Sequence, residues 1–98
     1  MVIGVCRIRL RLPENQSLKG KRTVLKSLLA RLQNKFKVSA AEVGDNDSWQ
    51  LATIAAACVS NDQRHADQVL AAVVDFVRKE RLDAEILDVE TEIIDGLG

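Results

Sequence analysis

The 98 residues hold 14 basic and 14 acidic side chains, a net charge of zero, with 47 % hydrophobic and only 3 % aromatic content. A chain of that size makes one domain, residues 1–98, around one modest core. No apolar run approaches the ~20 residues of a membrane span, and MVIGVCRIRL lacks the basic leader and unbroken apolar segment of a signal peptide. Cys6 and Cys58 are too few and too far apart for a disulfide framework or a zinc site. They read as reduced thiols packed side by side in a cytoplasmic protein.

The zero net charge hides a division. Residues 1–37 hold ten Lys/Arg against Glu14 alone, whereas residues 38–98 hold four against thirteen Asp/Glu. Such asymmetry means either two halves that attract each other or one face offered to an anion.

In chain order, Val2 to Leu12 alternates, with arginines at 7, 9 and 11 between Ile8, Leu10 and Leu12. It is a strand that ends at Pro13, which has no N–H for a sheet ladder. Ser17 caps a helix running to about Lys37, whose leucines at 18, 25, 28, 29 and 32 and Phe36 form one stripe. Val38 to Val43 is a short strand closed by the turn GDNDS, and Trp49 to Val59 is the next strand. Ser60, Asn61 or Asp62 opens a second helix with a stripe at Ala66, Val69, Leu70, Val73, Phe76 and Val77, and Ala84 to Ile94 is the last strand. The β-α-β-β-α-β order predicts an α+β ferredoxin-like sandwich. Four antiparallel strands in the order 4-1-3-2 carry both helices on one face.

That order sets strand one beside strand four. Arg7 and Arg9 are therefore expected opposite or diagonal to Asp88 and Glu90, as a charge ladder that fixes register. Arg11 has no obvious partner. In strand four, Leu87, Val89, Thr91 and Ile93 are expected on one face, and the acids on the other. The opposite face of the sheet gathers Ile3, Val5, Thr53, Ala55, Ala57 and Val59, an apolar patch that predicts a homodimer.

The first helix is basic throughout, with Lys19, Lys21, Arg22, Lys26, Arg31, Lys35 and Lys37 and no acid. Cations at a helix start oppose the macrodipole at about 0.3–1 kcal/mol each. Three of them in SLKGKR suggest an anion site suited to phosphate, made of Lys19, Lys21, Arg22 and Lys26 with Arg11. Gly20 weakens the helix and permits close approach of a backbone or ligand.

The stretches SLKGKR, AEVGDNDSWQ and VSNDQRH, spread over residues 2–94, closely resemble the YlxP-like family of bacterial proteins of unknown function. The resemblance implies the ferredoxin-like fold and supplies no catalytic residues. The setting of such genes beside translation factors implies an RNA or ribosome context.

Enzymatic readings lack their residues. PENQS is not the glycine-rich phosphate loop of acylphosphatases, and the Cys-x-x-Cys of copper chaperones is absent. His65 reads as packing at the core edge, Asp45, Asp47 and Asp62 as turn residues, and Trp49 as a lid over the sheet edge. A non-enzymatic RNA- or ribosome-associated module is expected, without metal, cofactor, membrane contact or DNA-binding motif. The alternative is a dimeric ACT-like regulatory module that takes a small anionic ligand at the start of helix one.

Overall fold

In the computed structural model, which describes residues 1–80 and 84–96, strand β1 spans Val2–Arg11 and stops two residues short of Pro13. Helix α1 is Leu18–Phe36, β2 Ser39–Gly44, β3 Leu51–Ser60, α2 Gln63–Lys79 and β4 Glu85–Asp95. The sheet order is β2-β3-β1-β4 with every pair antiparallel. The fold is the ferredoxin-like sandwich that the element order predicts.

Alternation on the strands decides which face is covered. Cys6, Ile8, Leu10, Ala52, Ile54 and Ala56 are buried beneath the helices, with Leu25, Leu28, Leu32, Leu70, Val73 and Val77 packed onto them. Full burial of each Leu, Ile or Val contributes about 1.5–3 kcal/mol, so this two-layer contact dominates stability. Helix α2 lies over β1, β3 and β4, and α1 over β2. At Gly4 an added Cβ would sit 3.0 Å from Leu70 Cδ1 and 3.3 Å from Ala66 Cβ. The missing side chain lets α2 come down onto β1.

Both helix starts are capped as the sequence predicts. Ser17 Oγ accepts from the Gly20 N–H at 3.0 Å, and Asp62 Oδ1 from the Arg64 N–H at 3.0 Å; each cap contributes about 1 kcal/mol. At the far end of α1, the Phe36 and Phe76 rings meet edge to face at 5.6 Å and join the two helices.

Two expectations change. A bulge in β4 between the partners of Arg9 and Leu10 inserts Leu87, which turns outward and is exposed. Ile86 takes the core-side place expected of Leu87, while Val89 and Ile93 pack against the core as expected. A bulge adds one residue and shifts parity beyond it, which simple alternation along the sequence does not register. The thiols are free, with Cys6 buried and Cys58 only half-buried. They lie on adjacent strands, where Cys58 pairs with Gly4 and Cys6 with Ala56. Burial pushes the Cys6 thiol up, partly offset by a backbone hydrogen bond from Ala56, with the nearby Cys58 adding to the rise.

Candidate functional site

Lys21 stands in the first turn and a half of α1, yet its side chain is 0 % exposed. Its Nζ donates to the carbonyls of Asp45 at 2.7 Å and Leu51 at 3.1 Å, with Asn46 at 3.4 Å. Glu42 Oε2 on β2 lies 3.0 Å away and balances the charge. A buried ammonium needs such a full set of oxygens. Lys21 is therefore a clamp that joins α1, β2, the following turn and β3. The expectation that it offers a cation to solvent is corrected. The signal was present in the spacing: positions 21, 25, 28 and 32 follow the helical repeat, so Lys21 occupies a stripe position among leucines.

Asn15 braces the same corner. Its Nδ2 donates to the Ser17 carbonyl at 2.6 Å and to the Trp49 carbonyl at 2.5 Å. Leu12 N–H donates to the Gln50 carbonyl at 2.6 Å, and Gln50 Nε2 to the Pro13 carbonyl at 3.2 Å. A Cβ at Gly20 would fall 2.6 Å from Asn15 Oδ1. The close approach allowed by this glycine is thus made by the protein's own asparagine. SLKGKR and AEVGDNDSWQ are one interlocked structure built on Lys21 and Asn15.

Asp45 completes the turn in a left-handed conformation, φ 59°, which Asp adopts more readily than most residues. Its carboxylate accepts from Thr53 Oγ1 at 2.7 Å and from Arg9 Nε at 3.2 Å. The Thr53 hydroxyl, then the Arg9 guanidinium, hold its pKa below the usual carboxylate value. Arg9 faces Asp88 in register but pairs with Asp45, because the turn carries that carboxylate onto the open sheet face. Arg7 pairs with Glu90 at 2.8 Å as expected.

The remaining basic residues divide. Lys19, Arg22, Lys26 and Lys37 are exposed, and none of them forms an ion pair among the described residues. At 100° per residue Lys19, Arg22 and Lys26 fall on one flank of the buried stripe, whereas Lys37 is the left-handed C-cap beyond the helix, φ 54°. Arg31 pairs with Glu80, and Lys35 lies 5.0 Å over the Phe76 ring. Arg11 shares the parity of Arg7 and Arg9 on β1, so the sheet separates it from α1, and its membership of the helix site is corrected.

Two other expectations fail in the same direction. His65 is exposed on α2 and does not pack at the core edge. Trp49 is 56 % exposed and is not one of the buried core residues, so it is no core lid. Its backbone is held by Asn15 while the residue stays more than half exposed.

The open sheet face has two ends. At one, Ile3 stands between Val59 on β3 and Ile94 on β4 in a cross-sheet row, with Val59 69 % and Ile94 46 % exposed. Val5 and Ala57 form the next row, and Arg7–Glu90 and Arg9–Asp45 occupy the other end.

Against known proteins, the chain is 44 % identical over 61 residues to the uncharacterized protein YlxP of Bacillus subtilis (strain 168). That match covers 62 % of this chain and 66 % of the relative's length. Among solved structures, the de novo designed protein Foldit4 gives a TM-score of 0.54 at 12 % identity over 97 % of both chains. A de novo designed protein with ferredoxin fold, LFR1 1, gives 0.50 at 8 % identity over 100 % of this chain and 89 % of that one. Likeness at such identity concerns the fold alone. A family model matches residues 3–91, and the chain thereby belongs to the family described as Protein of unknown function (DUF503).

Proposed function

We propose that the protein is a non-enzymatic module that binds RNA through the exposed flank of α1, in an RNA or ribosome setting. The observation that carries this reading is the row Lys19, Arg22 and Lys26, with no acid on the helix and no ion-pair partner among the described residues. Cations paired across a fold neutralise one another; three left unpaired on one flank keep their field available to a polyanion. From Lys19 to Lys26 the row rises about 10 Å at 1.5 Å per residue, enough to follow a backbone over several phosphates.

A small-anion regulatory site at the same helix start has less support. Lys21, the cation such a site would draw on, is closed off by Glu42 and backbone carbonyls. The open sheet face suits a second copy of the chain. An isologous contact sets like patch against like, and the apolar row Val59–Ile3–Ile94 is complementary to itself in a way that a single-sign charged patch is not. The paired Arg7–Glu90 end presents both signs to its symmetry mate.

The test is RNA affinity at several salt concentrations for the natural chain and for the Arg22→Ala/Lys26→Ala double variant. Weaker binding with a salt slope lowered by roughly 0.7–0.9 per lost contact, and an unchanged melting temperature, supports the reading. Absence of RNA binding at low salt, or an unaltered slope, overturns it.

A further inference from the structure

We infer that Trp49 is a base-stacking platform and that the RNA class bound is single-stranded, with one unstacked base on the indole and its flanking phosphates on Lys19 and Arg22. This inference rests on the RNA reading of α1 and adds the contact that selects the kind of RNA.

The first ground is the cost of the arrangement. Trp49 is the sole tryptophan and one of three aromatic residues. The residue is 56 % exposed, although burial of a ring that size is among the largest single gains open to a small domain. An aromatic left outside on a loose loop would mean little. This loop is braced on both sides of the ring. Asn15 holds the Trp49 carbonyl, Ser48 Oγ accepts from the Leu51 N–H at 3.0 Å, and the Gln50 carbonyl accepts from Leu12. Beneath it, Lys21 fixes the carbonyls at 45 and 51. The fold fixes the backbone that carries the indole and leaves the residue exposed, so no ordering of the loop is needed when a flat partner lands on it.

The second ground is position. The Asn15 amide that holds Trp49 also holds the carbonyl of Ser17, the N-cap of α1. Trp49 thus sits one side chain from the helix start, where the unpaired row begins with Lys19 and Arg22. A stacking face beside unpaired cations is the combination that single-stranded nucleic acid requires, because each nucleotide brings one π-face and one phosphate. Duplex RNA keeps its base faces stacked inside and presents phosphates, 2′-hydroxyls and base edges, so it engages the cations and offers the indole no open face. The other aromatics, Phe36 and Phe76, pack against each other at the far end of α1. The platform therefore takes one base.

The sole tryptophan is its own reporter. The full-length protein is titrated at low salt with a dodecamer of uridine and with a duplex RNA, following indole emission and, separately, the anisotropy of end-labelled RNA. The single strand is expected to quench Trp49, and the duplex to bind with little change in emission. Trp49→Ala should lose about tenfold or more in affinity for the single strand and little for the duplex, with Trp49→Phe in between. Trp49 is an exposed residue outside the buried core, so circular dichroism and melting should stay as in the natural chain.

Single-strand binding by anisotropy without quenching, and undiminished in Trp49→Ala, overturns the platform while the basic flank stands. Binding of neither RNA overturns both. Equal loss for duplex and single strand in Trp49→Ala also overturns the platform, since it would mark damage to the loop.

Discussion

The Nζ of Lys21 lies 3.0 Å from Glu42 Oε2, with the lysine fully buried and the carboxylate nearly so. Removing one member of a buried pair leaves the other charged and unpartnered, at a cost of about 3–5 kcal/mol. Lys21→Met keeps much of the apolar stem and should lower stability by roughly that amount. Glu42→Gln added to Lys21→Met should recover part of the loss, because no uncompensated charge then remains. Chemical denaturation of the two single variants and the double variant measures the coupling. Additive effects would exclude the pair as the cause.

Asp45 supplies a pH signature. Its pKa is depressed by Thr53 and Arg9, so it contributes stability above its unfolded value of about 4, and that contribution is lost as pH falls through the lower folded value. Asp45→Asn tolerates the left-handed backbone but removes the charge. At neutral pH it should cost about 1–2 kcal/mol. The deficit should close as the natural protein is acidified below about pH 4. Thermal melts of both proteins between pH 3 and pH 7 test this, and a deficit independent of pH would exclude the charged contact.

What the sequence disclosed and what it hid divide on physical lines. Strand alternation, leucine spacing and caps are local and periodic, so the six elements and their order were legible, as was the Arg7–Glu90 pairing that follows from strand order. The partner of Arg9 was not, because Asp45 arrives from a turn whose direction depends on one left-handed residue. Leu87 was misplaced by a bulge that leaves no mark in the hydrophobic pattern. Lys21 was readable in principle, since it interrupts a leucine stripe in phase. Trp49 could not be located from composition, which favours burial of any tryptophan. Only the hydrogen bonds of Asn15 and Leu12 show why its loop stands clear of the core.

The open sheet face predicts an oligomeric state. With Val59 69 % and Ile94 46 % exposed on either side of Ile3, an isologous contact would bury this row. Val59→Asp would then set two like charges near each other across the two-fold axis. Sedimentation of the natural chain at high micromolar concentration should give a dimer, and of Val59→Asp a monomer with an unchanged fold. A natural chain that remains monomeric removes this surface from consideration.

Gly20→Ala sets two effects of opposite sign against each other. In a helix interior alanine gains about 1 kcal/mol over glycine; Gly20 stands in the first turn, and propensity alone still predicts a more stable protein. The added Cβ, however, would stand 2.6 Å from Asn15 Oδ1 and 3.1 Å from Ser17 Oγ. Asn15 is short and anchored by hydrogen bonds to two carbonyls, so it yields only by releasing one or both, at about 0.5–1.5 kcal/mol each, and the cap is crowded as well. The net expectation is a loss of about 1 kcal/mol, with the loop at Trp49 freed from its tie to the helix. Asn15→Ala should relieve the closer contact: on that background, with only Ser17 Oγ still near, Gly20→Ala should become stabilising by part of the propensity gain. Melting temperatures of the four proteins in this cycle measure the reversal. A stabilising Gly20→Ala in the natural background would mean that Asn15 does not hold this corner together.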